Sequence, residues 1–289
     1  MEGLSKMKST LFTIGPFTAH GYGLMIAIGA LVAYKVGEYR AKKYNLRDDL
    51  IFDLTIWCLV GGLLGAKLLY LITKLPEIMA NPENLLDYIK NGFVVYGGII
   101  LGIFAGWLYT RRKKLNFWKY FDIVMPEIAL AQGFGRIGCF LAGCCYGEET
   151  QNVLHVVFHD SPIAPNGVQL IPTQVYSSLF NFLHFFVLIT IAKKKKADGQ
   201  IAGLYLIIYS LGRFVIEFFR GDIERGQIGI LSTSQFISIF IFAAGILLYA
   251  FAEKISGAKV FAVEEAGAAI AEETAAVEEI TENNDEKED

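Results

Sequence analysis

Seven apolar runs, each close to the length that crosses a bilayer, alternate with short polar segments: about 20–38, 50–72, 93–110, 121–142, 173–192, 201–219 and 231–251. A hydrocarbon core about 30 Å thick takes roughly 20 helical residues. Backbone polar groups in lipid must bond internally, and these runs do not alternate with period two, so helices are expected rather than a barrel. The predicted fold class is all-α: a polytopic membrane bundle of seven transmembrane helices over residues 20–252, preceded by an outer segment, 1–19. The first run lacks a small-x-small cleavage pattern and is followed by further spans, so it is read as retained.

Composition agrees with this pattern. The 289 residues are 54% hydrophobic with a mean hydropathy of +0.42, too apolar for an ordinary soluble domain. The basic residues then orient the bundle. Arg40, Lys42, Lys43, Arg47, Arg111, Arg112, Lys113, Lys114, Lys119 and Lys193 to Lys196 fall in one set of loops. The alternate set holds Lys74, Lys90, Arg220 and Arg225. Positive loops stay cytoplasmic, so the N-terminus is expected outside and the C-terminus inside. Residues 253–289 form an acidic cytoplasmic tail, read as flexible; its last 27 residues hold eleven acidic residues and one lysine, with no aromatic residue. The net charge of −3 therefore says little about the membrane core.

Several polar residues lie inside the predicted spans, where they are expensive and commonly functional. Arg136 and Arg213 each come about six residues before the outer end of a span, roughly 9 Å below that edge. Lys67 sits at a similar depth, and Tyr22 and Tyr96 lie near the outer starts of spans one and three. All point to one leaflet. The convergence describes a cationic pocket for an anionic lipid headgroup, because an arginine fork donates two bonds to phosphate. The structural alternative is that the cations snorkel, or pair with Glu127 or Glu217. In span six, Arg213, Glu217 and Arg220 share a helix face at i, i+4 and i+7. Glu217 either orients Arg213 or acts as a base. Asp222 is placed to pair with Arg220.

Glycines 133, 135 and 138 surround Arg136 and would let a helix or headgroup approach its backbone. They are not a dinucleotide fingerprint, since no strand precedes them. Cys139, Cys144 and Cys145 lack a fourth sulfur or histidine at convincing spacing, so no metal site is read. Five residues apart on a helix, Cys139 and Cys144 would be badly aligned for a disulfide. LHVVFHD (154–160) alternates like a short strand, and its histidines are read as surface residues rather than zinc ligands.

The ordered motifs resemble those of the bacterial prolipoprotein diacylglyceryl transferase family over roughly residues 14–252. PFTAHGYGLM resembles the family's first-span entry, FVVYGGIILG its third-span motif, GFGRIGCFLAGCCYG its signature, PTQVY the start of its fifth span and LGRFVIEFFRGD its sixth-span pattern. Three positions differ: the family usually has histidine at Tyr96, asparagine at Cys139 and glutamate at Cys144. The resemblance implies an enzyme of the bacterial cell membrane, multi-pass and monomeric, that uses no cofactor and binds no nucleic acid. Its partners would be phosphatidylglycerol and a prolipoprotein signal peptide bearing a lipobox cysteine. It would move diacylglyceryl to that sulfur and release glycerol 1-phosphate, the first step of lipoprotein maturation. Arg136, Arg213, Tyr96 and Glu217 would be catalytic. Tyr22, Lys67, Gly97, Gly98, Gly138, Gly147 and Arg220 would join the two arginines in binding substrate. A non-catalytic phospholipid-binding protein, or a transferase for another phosphate-linked lipid, would use the same pocket.

Overall fold

A computed structural model describes residues 10–14, 17–222 and 226–256. Arg225 and the part of the acidic tail beyond Ser256 lie outside the described residues.

Each apolar window falls on one long helix. In chain order these are α1 (Gly21–Lys43) and α2 (Asp49–Thr73), the short α3 (Leu75–Ala80) and α4 (Leu85–Lys90), then α5 (Val95–Arg112), α6 (Phe117–Ala142), α7 (Thr173–Ala192), α8 (Gln200–Ile216) and α9 (Thr233–Ser256). A single 3₁₀ turn, Glu217–Phe219, extends α8. By length and composition α2, α7, the extended α8 and α9 are apolar enough to cross a membrane. The other three long helices carry more charge or glycine: Lys35, Glu38 and Arg40 in α1, two terminal arginines in α5, and Asp122, Glu127 and Arg136 in α6. α9 also continues past the expected end of the last span, at 251, through four residues assigned to the tail.

The all-α expectation holds for the bundle but misses its ornaments. Three antiparallel pairs join strands β1 (Thr10–Ile14) and β2 (Phe17–His20), β3 (Val156–Val157) and β4 (Gln169–Leu170), and β5 (Gln227–Ile228) and β6 (Leu231–Ser232). β3 lies in the alternating LHVVFHD segment, as its pattern predicts. The segment between α6 and α7 is more than a loop, because Phe158, Ala164 and Leu170 bury a small core of their own.

Helices pack as neighbours α1 on α6, α2 on α5, α6 on α7 and α8 on α9. The main core joins α6, α7 and α8 through Met125, Ala129, Leu130, Phe185, Leu188, Ile201 and Tyr205. α2 and α5 approach through small residues: a Cβ on Gly65 would run into the Gly97 carbonyl, and one on Gly97 into the Gly65 carbonyl. Without a hydrophobic drive between helices in lipid, such backbone contact is what holds them. The outer faces stay apolar, with Leu63, Leu64, Leu68 and Ile72 of α2 exposed, a surface suited to lipid.

Candidate functional site

The starts of α1, α5, α7 and α9 and the ends of α2, α6 and α8 meet at one end of the bundle. Arg136 reaches this end from α6. Asn116 accepts hydrogen bonds from the Trp118 and Lys119 amides to start that helix. Gly143, at φ 70°, stops it in a left-handed turn, where an L side chain would be strained. Gly138 lets α1 come close, since a Cβ there would sit 3.2 Å from the Tyr22 ring and carbonyl. Gly133 faces Phe182 of α7, whereas Gly135 faces open space. Gly138 and Gly133 thus admit neighbouring helices, and Gly135 leaves space for a ligand, the two kinds of approach the sequence suggests.

Arg213 arrives from α8 and is fixed at both ends of its guanidinium. Nη1 pairs with Glu217 Oε2 at 2.9 Å and Nη2 donates to Ser234 Oγ of α9 at 2.7 Å. The i, i+4 pairing read from the sequence is present. Arg220 pairs with Asp222 across two residues, also as expected. Its backbone bridges Gly147, while the Gly221 amide donates to the Tyr146 carbonyl and the Glu148 amide to that of Phe219. Gly147 is squeezed between Ile171 and Phe219, so any side chain there would clash. The signature segment and the end of α8 are thereby stitched together, and Arg136 and Arg220 both fall within electrostatic range of Arg213.

Arg136 differs from its two neighbours. It is half-buried and makes no ion pair or side-chain hydrogen bond among the described residues. Its suggested structural partners are engaged elsewhere. Glu127 takes Arg40 Nη1 at 2.7 Å in a buried pair 87 residues apart, and Glu217 takes Arg213. Tyr22 stands near Arg136, and Tyr96 near Arg213 and Glu217. Both rings are partly exposed.

Two expected groups also make contacts within the protein. Lys67 Nζ donates to the carbonyls of Asn91 at 3.1 Å and Gly92 at 2.8 Å and lies 4.2 Å from the Phe93 ring centre. It ties α2 to the entrance of α5 and is occupied by protein. Gly97 and Gly98 face Gly65 and Gly62 of α2, so their lack of side chains serves helix packing.

The structure also places residues that carried no role in the sequence reading. Thr173 Oγ1 donates to the Cys145 carbonyl at 2.7 Å, and Gln174 Nε2 to that of Cys144 at 2.9 Å. The motif PTQVY thus holds the signature turn; its polar pair at a helix start was the available signal. The cysteine expectation needs a larger correction. All four cysteines are free, but the sulfurs of Cys139, Cys144 and Cys145 lie within 4.8 Å of one another. The Gly143 reversal defeats the straight-helix argument by folding Cys144 and Cys145 back over Cys139. An open, largely apolar groove of about 460 Å³ lies beside this turn, lined by Asn152, Val153, Leu154, Ile171, Tyr176 and Phe219.

Fold and site define a helical membrane protein with a cationic site, suited to an anionic group, at one end of its bundle. The chain belongs to the prolipoprotein diacylglyceryl transferase family, whose model matches residues 9–251. It is 48% identical to the phosphatidylglycerol–prolipoprotein diacylglyceryl transferase of Clostridium tetani, over 84% of this chain and 97% of the relative. It is 44% identical to the corresponding transferase 2 of Clostridium perfringens, over 84% of this chain and 94% of that protein. Identity to the Finegoldia magna transferase is 35%, again over 84% and 94% of the two chains.

Proposed function

We propose that this protein transfers the diacylglyceryl group of phosphatidylglycerol to the lipobox cysteine of a prolipoprotein. The carbon–oxygen bond to phosphate breaks, a carbon–sulfur thioether forms, and glycerol 1-phosphate leaves. The thiol proton must also depart, since thiolate is the reactive form. The observation that carries this reading is Arg136, a guanidinium with no partner among the described residues, standing beside two arginines that have theirs.

Charge grows on the phosphate as the carbon–oxygen bond breaks, and a fixed cation in a shielded site stabilises that charge without reorganising. Arg136 is the phosphate clamp. Arg213, held by Glu217 and Ser234, is the second cation, and Glu217 orients it. Tyr22 and Tyr96 position the lipid, and the same cationic field favours the substrate thiolate. Gly138 and Gly147 allow the close approaches that build this end, and Arg220 adds to its field. The apolar groove beside Ile171 and Phe219 suits the hydrophobic signal peptide.

The seven long helices cross the bacterial cell membrane with the N-terminus outside and the C-terminus in the cytoplasm. The loop bias of thirteen basic residues against four supports this orientation, which puts the arginines in the outer leaflet. The test uses purified protein in detergent, phosphatidylglycerol labelled in its diacylglyceryl group and a lipobox peptide. Label is expected on the peptide. Lipid binding without transfer would instead make the protein a phospholipid-binding relative.

A further inference from the structure

We infer that Cys139, Cys144 and Cys145 form a three-thiolate site for a soft monovalent cation, with cuprous ion the best fit. A thiophilic ion bound at about 2.3 Å needs sulfurs roughly 4 Å apart in a trigonal plane. The three sulfurs already lie within 4.8 Å of one another, so side-chain rotations of a fraction of an ångström close the site. All three sulfurs are partly accessible, and the Cys144 thiol donates to the Cys139 carbonyl at 3.7 Å.

The backbone holds this arrangement from several sides. Gly143 reverses the chain after α6, Cys145 adopts a left-handed φ of 60°, and the Cys144 amide donates to the Cys139 carbonyl at 3.1 Å. Thr173 and Gln174 fix the carbonyls of Cys145 and Cys144. The sulfurs thus converge before any ion arrives, which lowers the cost of assembling the site.

The all-sulfur ligand set and its count favour cuprous ion over structural zinc. Thiolates favour cuprous ion, zinc and iron–sulfur clusters. Structural zinc wants a fourth protein ligand, and the cluster among the described residues offers three. One cuprous ion with three thiolates carries two negative charges and releases three protons if all three start as thiols. Arg136 and Arg220 both lie within electrostatic range of Cys145, and although Arg220 is shared with Asp222 their field favours the anionic complex. No electron is transferred, so the step requires no oxidant.

The experiment titrates the detergent-purified full chain, kept anaerobic, with cuprous ion presented by a chromophoric chelator. One ion per chain is expected to leave the chelator, with a thiolate-to-copper ultraviolet band and an X-ray absorption spectrum fitted by three sulfur neighbours. The combined variant C139S/C144S/C145S should lose this uptake, while C58S keeps it. The single variants C139S, C144S and C145S, each checked for monodispersity, should each lose the three-sulfur signature even if the combined variant fails to fold. No uptake, uptake that survives these substitutions, preference for Zn²⁺ over cuprous ion, or recovery of a disulfide within the cluster would each overturn the assignment.

Discussion

The two ends of the bundle handle charge in opposite ways. At the end remote from the candidate site, Arg40 donates to both Glu127 oxygens, at 2.8 and 2.7 Å, and to the Ile123 carbonyl at 3.0 Å. Nearby, Lys195 bridges Asp122 and Asp198 at 2.9 Å each. Asp122 also accepts the Gly199 and Ala202 amides, capping the start of α8. Each of these charges has an ion-pair partner, although Arg40 Nη2 is buried without a hydrogen bond. At the site end, Arg213 pairs with Glu217 and Arg220 with Asp222, and among the described residues Arg136 is left without an ion-pair partner. Depth in the bilayer does not separate these regions, since both hold buried charge. Partnering does: a charge answered by protein fixes helices, and a charge left open is available to a ligand.

Breaking the closed end should give the largest change in stability. Arg40→Ala strands Glu127 in a buried site and should cost about 3–5 kcal/mol, read from denaturation in detergent. Replacing both partners, Arg40→Met with Glu127→Leu, should recover most of that loss, because a buried pair often does no better than apolar packing. An equal loss in the double variant would mean that the pair does more than satisfy itself.

Smaller effects sharpen the contrast within the site end. Gln174→Ala leaves the Cys144 carbonyl without its partner and should cost about 1–3 kcal/mol, checked by thermal unfolding. Lys67→Met removes a cation that protein carbonyls already occupy, so about 1 kcal/mol of stability is expected to be lost. Its lipid KM should move far less than that of an Arg136 variant. A large rise in KM would return Lys67 to the lipid-binding set.

Much of this was legible in the chain itself. Helix existence follows from run length, and each of the seven windows lies on a helix. The Arg213–Glu217 and Arg220–Asp222 pairs are local, so spacing alone predicts them. What escaped depends on contacts between distant segments. Helix geometry puts Glu127 and Arg136 on opposite faces of α6, but nothing local tells that Glu127 meets Arg40 of α1, because the rotation and register of the two helices decide it. Lys67 reads as a membrane cation until α4 and α5 bring the Asn91 and Gly92 carbonyls to it. The cysteine cluster is not legible from helical spacing, because the left-handed Gly143 just past the end of α6 redirects the two cysteines that follow. The small core of the 143–172 segment escaped for the same reason: its apolar residues are spread along a chain without helical period.

The central claim is that Arg136, unpartnered among the described residues, acts on phosphate and contributes little to the fold. It is tested most directly by measuring diacylglyceryl transfer and thermal unfolding on one preparation of Arg136→Gln. Transfer is predicted to fall by about 100- to 1,000-fold, the loss expected when one fixed donor to a developing charge is removed. The unfolding midpoint is predicted to match that of the unsubstituted protein. Transfer at the original rate, or a loss of activity matched by a loss of folded protein, would contradict the account.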